Sequence, residues 1–167
     1  MREVCVIGVG MTNFGKFPEK SVLEFGIEAS YKAIKDANIN PRLIQVAYAG
    51  HARTGQLQGR ESGIGQSILW ELGITGIPVS SVANFCASGS TAFREAWIAV
   101  ASGMYDVALA MGVEQLSVRL GKGRPLTSDG IELLTSLGFA PATFLQTLLL
   151  DICMSMARQK NRWPWWL

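Results

Sequence analysis

With 167 residues, 49% of them hydrophobic, 17% charged and a net charge of +2, the chain has the apolar content to fill one domain core, which excludes intrinsic disorder. The excess of 15 Lys and Arg over 13 Asp and Glu is too small to hold nucleic acid or a membrane surface by bulk charge, and no basic run concentrates it. Cys5, Cys86 and Cys153 are far apart and odd in number, so they read as reduced thiols, and with the single histidine, His51, they fall short of a tetrahedral metal site.

The first residues carry no separate basic segment, and their apolar run is broken by Gly8 and Gly10, so they form neither a signal peptide nor a membrane span. The expected location is the cytoplasm. Val4-Cys5-Val6-Ile7-Gly8 is β-branched, apolar and closed by glycine, which predicts a first strand buried on both faces. Ser21 stands three residues before Glu24, a spacing that lets each side chain satisfy an orphan backbone N–H at a helix start. The helix should run to about Asn38 and Pro41 should stop it. Leu23, Ile27, Tyr31 and Ile34 supply its packed face, and Glu24, Glu28, Lys32 and Lys35 its wet one.

Residues 45–50 read as a second strand ending in glycine, and residues 51–60 as a loop. A second helix over 61–72 follows, with Ile64, Ile68 and Leu72 spaced by four and Gly73 as its stop. Pro78 leads into a third strand over 79–85. Residues 87–102 are alanine-rich, carry Phe93, Trp97 and Val100 on one stripe and end at Gly103, which predicts the third helix. Residues 106–113 form a fourth strand. This alternation defines the α/β class, a parallel-rich sheet with helices on both faces. Ligands of such sheets sit beyond the carboxyl ends of the strands, which directs the search to the turns after Gly8, Gly50 and Phe85.

Two of those turns lack a strong signal. After Gly8-Val9-Gly10, the third glycine of a dinucleotide-binding fingerprint would fall at Asn13, and the helix begins too late, near Ser21. His51, after Gly50, lies in a polar stretch where a solvated or structural histidine is expected before a catalytic base. No serine stands in a Gly-x-Ser-x-Gly elbow.

The third turn, Asn84-Phe85-Cys86-Ala87-Ser88-Gly89-Ser90, puts a cysteine where a buried strand meets a helix. The free N–H groups and positive dipole end of a first helical turn favour thiolate over thiol, and the same N–H groups can hold an oxyanion. The backbone N–H of Cys86 is one such donor. Gly89 and Ser90 leave room for a substrate. The competing reading is that Cys86 is a small buried hydrophobe, as most free cysteines are.

The stretch from Asn84 to Ala92 closely resembles the nucleophile signature of the thiolase superfamily, particularly the branch related to the thiolase part of sterol carrier protein (non-specific lipid-transfer protein). Three further segments are similar to that branch: Val6-Ile7-Gly8-Val9-Gly10-Met11-Thr12-Asn13-Phe14-Gly15, Gly73-Ile74-Thr75-Gly76-Ile77-Pro78-Val79, and Ala108-Leu109-Ala110-Met111-Gly112-Val113-Glu114. The resemblance covers about residues 4–144. It implies the N-terminal half of the thiolase fold and an enzyme, an acetyl-CoA acetyltransferase. Cys86 would take an acyl group from a coenzyme A thioester and join it to, or release it from, a second acetyl-CoA. Coenzyme A enters as substrate thioester, with no permanently bound cofactor. The family also implies a homodimer with the strand before Cys86 near the two-fold contact, and in some microbial relatives a synthase partner.

Other readings remain open. Within the superfamily the alternative is a 3-oxoacyl synthase or hydroxymethylglutaryl-CoA synthase, although the Ala-Ser-Gly-Ser-Thr-Ala run after Cys86 favours the thiolase branch. From another class comes a non-catalytic half-domain that binds acyl-CoA or a subunit. The family's remaining catalytic groups come from its C-terminal half: a Gly-His-Pro histidine, a Cys-x-Gly cysteine, and an Asn-Glu-Ala-Phe or His-Asp-Cys-Phe segment. This sequence has none of them; His51 precedes the nucleophile, and Cys153 is followed by Met-Ser. The chain alone is therefore expected to be inactive in the full reaction.

The organisation expected is a β-α-β core over residues 1–118, the start of a loop region over 119–144 and an atypical tail over 145–167. In the loop region, Lys122 and Arg124 could neutralise coenzyme A phosphates, the plainer reading being solvated surface charge. The tail has no glycine although the chain holds 18, and carries three of the five tryptophans in Trp163-Pro164-Trp165-Trp166-Leu167. That break in composition points to a shifted reading frame from about residue 145; the alternative is a diverged helical cap.

Overall fold

The computed structural model describes residues 1–52, 54 and 63–115. The chain divides into two units, Met1–Arg119 and Leu120–Leu167, and every described residue lies in the first. Lys122, Arg124, Cys153, the loop region and the tail lie outside the described residues, as does most of the loop predicted over 51–60.

Helix α1 spans Val22–Ala37 and starts as the sequence predicts. Ser21 Oγ accepts from Glu24 N–H at 3.3 Å, and a Glu24 carboxylate oxygen accepts from Ser21 N–H at 2.7 Å, so two orphan donors are satisfied reciprocally. The end falls near Asn38 as expected, but Pro41 is not its stop. Asn38 adopts φ 51° and its N–H bonds Lys35 O at 3.1 Å, so a left-handed cap stops the helix before Pro41, which instead opens a 3-10 turn, Pro41–Leu43. The buried stripe is Val22, Gly26, Ser30 and Ile34, with Leu23 and Ile27 only partly buried and Tyr31 exposed. Ile34 keeps its expected place, and Gly26 enters the buried stripe because Ile68 packs closely against it. A Cβ on Gly26 would lie 2.2 Å from Ile68 Cδ1.

The sheet has three parallel strands, β1 (Val46–Gly50), β2 (Val79–Val82) and β3 (Ala108–Gly112), in the order β2-β1-β3. Helix α2 spans Ile64–Glu71 and helix α3 spans Ser88–Ala101. Ala47, Ala49, Leu109 and Met111 join Val22, Ile34, Ile64 and Ile68 in the main core, placing α1 and α2 on one face of the sheet. The alternate residues of β1 turn to the opposite face, where Gly50 meets the first turn of α3. Glycines with positive φ, Gly73 at +70° and Gly103 at +81°, follow α2 and α3 where the sequence places their stops.

Three expectations are corrected. Residues 4–8 form no strand. Arg2 ties the start of this run to the end of α3, its Nε donating to Val100 O at 2.6 Å, its Nη1 to Asp106 Oδ1 at 2.8 Å and its Nη2 to Tyr105 O. Gly8 and Gly10 lie against the α1 backbone, and a cavity of about 860 Å³ separates the run from β3. Apolar, β-branched residues become a strand only where their backbone groups meet a partner edge, and across that space none is met. The third strand stops at Val82 instead of Phe85, because the chain turns at Asn84 to enter α3. On α3 the apolar stripe is the exposed one, with Phe93 52% and Trp97 41% accessible, while Ala92, Ala96 and Ala99 are buried. A helix lying this close to a sheet presents its alanines to it.

Candidate active site

The carboxyl ends of the three strands are in register, with Val82, Gly50 and Gly112 side by side in one row. Everything of chemical interest lies just past that row. Glycine is required there: a Cβ on Gly50 would lie 2.5 Å from Ser88 O and 2.8 Å from Gly89 N, so only a bare Cα lets the first turn of α3 rest on β1. Gly89 and Gly112 approach each other in the same way, with a Cβ on Gly112 reaching 3.4 Å from Gly89 Cα.

Between Val82 and Ser88 the chain makes a sharp turn that carries Cys86. Phe85 is left-handed at φ 46°, a conformation that costs a residue with a side chain about 1–2 kcal/mol. Local hydrogen bonds hold it. Ala87 N–H bonds Asn84 O at 2.9 Å and Ser88 N–H bonds Phe85 O at 3.2 Å. The buried Ser88 hydroxyl accepts from Asn84 N–H at 2.8 Å and donates to Phe85 O at 2.7 Å. Asn84 Nδ2 donates to Thr91 Oγ1 at 3.0 Å, and that hydroxyl donates to Ala87 O at 2.9 Å. Strain at one residue is thus opposed by both ends of the turn, the arrangement expected where a side chain is presented for chemistry.

Cys86 is exposed, against the reading of a small buried hydrophobe. Among the described residues, none of the backbone hydrogen bonds of this turn uses the N–H of Cys86, Gly89 or Ser90. A thiol beside N–H donors that bond no other described backbone group, at the positive end of a 14-residue helix, can attack an acyl carbonyl and stabilise the oxygen that becomes negative. Cys5, the other described cysteine, is exposed on the N-terminal run and belongs to no such turn.

These features, a parallel α/β sheet and a cysteine on the turn from its edge strand into a helix, agree with the family comparison, in which residues 4–132 match the family described as "Thiolase, N-terminal domain". The chain belongs to the thiolase family. This thiolase domain is 40% identical over 117 residues to an acetyl-CoA acetyltransferase of Methanocaldococcus jannaschii, the match covering 70% of this chain and 30% of the relative. It is 39% identical over 118 residues to sterol carrier protein 2 of Gallus gallus, covering 70% and 21%. The solved structure of an acetyl-CoA acetyltransferase from Syntrophomonas wolfei superposes with a TM-score of 0.52 at 23% identity, covering 62% of this chain and 27% of that one, a likeness of fold. The chain spans less than a third of the length of these relatives.

Three residues of the site carry more than their sequence context suggests. His51 is buried, 7% accessible, and not a solvated loop residue. Its N–H donates to Val82 O at 3.1 Å, the last residue of β2, and its Nε2 has no hydrogen-bond partner among the described residues. Glu114 reaches back to the segment after β1, accepting from Ala52 N–H at 2.7 Å and from the hydroxyl of buried Thr54. Gln115, also buried, donates to Lys20 O at 2.7 Å and so ties the end of β3 to the approach to α1. In the sequence only the Gly-x-Glu ending of the fourth strand marked this corner. Among the described residues no cluster of His, Cys, Asp and Glu could hold a metal ion, and no helix is long and apolar enough to cross a membrane.

Proposed function

We propose that this thiolase domain supplies the nucleophile for acyl transfer between coenzyme A thioesters, with Cys86 as the acyl carrier. The exposure of Cys86 on a strained, internally bonded turn at the start of α3 is the observation that carries this reading. The Cys86 sulfur attacks the thioester carbonyl, and the oxygen takes up negative charge beside the unused N–H groups of the first turn. Collapse of that intermediate breaks the bond to the coenzyme A sulfur, which leaves as a thiolate and takes a proton, and the acyl group stays on Cys86. Transfer of the acyl group to the α carbon of a second acetyl-CoA needs a base that removes the α proton. The Cys-x-Gly cysteine that acts as acid/base in the family, the Gly-His-Pro histidine that activates its nucleophile and the Asn-Glu-Ala-Phe type segment are not in this sequence.

The test is incubation with excess acetyl-CoA followed by intact-mass and peptide analysis. One added acetyl group on Cys86, none on Cys5 and none in Cys86→Ala is the expected result. A protein that is alkylated at Cys86 by iodoacetamide yet never acetylated there would defeat the acyl-carrier reading and favour a domain that binds acyl-CoA without chemistry.

A further inference from the structure

Asn84 is bonded to the Cys86 turn at three points. Its N–H donates to the Ser88 hydroxyl at 2.8 Å and its carbonyl accepts from Ala87 N–H at 2.9 Å, bonds open to any residue with a backbone N–H. The side chain adds a third. Asn84 Nδ2 donates to Thr91 Oγ1 at 3.0 Å, and the Thr91 hydroxyl donates to Ala87 O at 2.9 Å. Because the Thr91 proton is spent on that carbonyl, its oxygen only accepts from Asn84, and the two bonds form one chain in which each strengthens the other. The chain starts two residues before Cys86 and ends on the carbonyl of the residue after it, so it closes a ring of bonds that includes the Cys86 backbone. The same ring contains Phe85, whose φ of 46° is the strained point of the turn. Asn84 is exposed and Thr91 half-buried, so the chain belongs to the turn and not to the domain core.

Resting on the reading of Cys86 as acyl carrier, we propose that Asn84 is a positioning residue for acyl transfer: through the Thr91 hydroxyl, its side chain holds the Cys86 thiol and the N–H groups of the turn in one fixed relation. Two attacks by the same thiol separate positioning from plain reactivity. When the Cys86 sulfur displaces the coenzyme A thiolate from a thioester, the carbonyl oxygen becomes negative on the way and needs N–H donors at a set distance from the sulfur. When it displaces iodide from iodoacetamide, the new bond forms at a saturated carbon and no oxyanion arises, so the thiolate alone suffices. A turn loosened at Asn84 therefore leaves the thiol reactive and impairs the first attack.

The experiment follows Cys86 acetylation in the full chain by intact mass over a range of acetyl-CoA concentrations, beside alkylation by iodoacetamide. Asn84→Ala and Thr91→Val should each lower the maximal acetylation rate by about tenfold, with the half-saturating acetyl-CoA concentration unchanged and alkylation within about twofold of the parent. Thr91→Ser, which keeps the hydroxyl, should stay close to the parent. The double variant Asn84→Ala/Thr91→Val should be no slower than the slower single one, because both changes break the same chain. Acetylation at the parent rate in Asn84→Ala, losses that multiply in the double variant, or alkylation slowed as much as acetylation would each overturn the assignment of Asn84 and leave the acyl carrier intact. No acetylation of Cys86 in the parent protein would overturn the carrier itself, and this proposal with it.

Discussion

The contact between Gly50 and the first turn of α3 makes a quantitative claim about Gly50→Ala. The added methyl would lie 2.5 Å from Ser88 O, 2.6 Å from Ser88 C and 2.8 Å from Gly89 N, all backbone atoms that no rotamer change can move. Restoring ordinary contact at 3.4 Å or beyond requires β1 and α3 to separate by about 1 Å. Overpacking of this kind costs about 1–3 kcal/mol. For a unit of 119 residues this corresponds to a fall in Tm of roughly 5–15 °C. Since the turn bearing Cys86 is rooted in Ser88, the same shift misplaces its thiol, and for the proposed acyl carrier a misplacement of 1 Å costs about 10²-fold in rate. Thermal unfolding and the rate of Cys86 acetylation from acetyl-CoA should both fall. Two comparisons isolate the cause. In Gly112→Ala the new Cβ meets Gly89 Cα at 3.4 Å, so both effects should be small. In Gly76→Ala the space is open but φ is +76°, so stability should drop by about 1 kcal/mol with acetylation unchanged. A Gly50→Ala protein as stable and as readily acetylated as the parent would refute the argument that this glycine seats the helix.

Further expectations follow from the polar contacts. Glu28 is bonded to Lys20 at 2.8 Å and to Lys32 at 2.6 Å, and these hydrogen bonds, Lys20 first, hold its carboxyl down from the usual 4.5 to about 2. Its folded-state value is below its unfolded one, so its contribution is present above about pH 4.5 and is lost as pH falls toward 2. Glu28→Gln should therefore flatten the acid limb of the Tm–pH profile in that window, and an unchanged slope would count against the paired carboxylate. Ser88→Ala removes the hydroxyl that joins Asn84 N–H to Phe85 O. It should cost about 1–3 kcal/mol in denaturant unfolding and slow acetylation of Cys86, whereas Ser88→Thr, which keeps a hydroxyl, should retain more of both.

Local chemistry in this fold was legible wherever it closed on itself within a few residues. The capping box of Ser21 and Glu24, the glycine stops at Gly73 and Gly103, and the strand-to-helix junction at Cys86 each need only neighbours in sequence, and each is found. Packing partners were less legible because hydrophobicity does not measure distance. Leu23, Ile27 and Tyr31 form as good a helical stripe as Val22, Gly26 and Ser30, and only the approach of Ile68 to Gly26 decides between them. The same holds on α3, where alanines pack and Phe93 and Trp97 stay exposed. The N-terminal run fails as a strand for a related reason, since β-branched composition states a preference that a ladder partner must complete.

Cys86 and His51 show the two limits together. Cys86 could be singled out because its presentation depends on position along one turn, and that turn is contiguous in sequence. His51 could not, because its backbone N–H is bonded to Val82 O, thirty-one residues on, and the residue after it is held by Glu114, more than sixty residues on. Flanked by Gly50 and Ala52, it reads as the start of a loop. Placed in the row past Val82, Gly50 and Gly112, it becomes a buried imidazole at the foot of the turn that carries the thiol. A parallel sheet assembles chemistry this way because its strands end together although their sequences do not, so residues from separate crossings meet at one edge. The cysteine of such a site can be found in a motif, but the groups brought beside it from other crossings are found only in the assembled sheet.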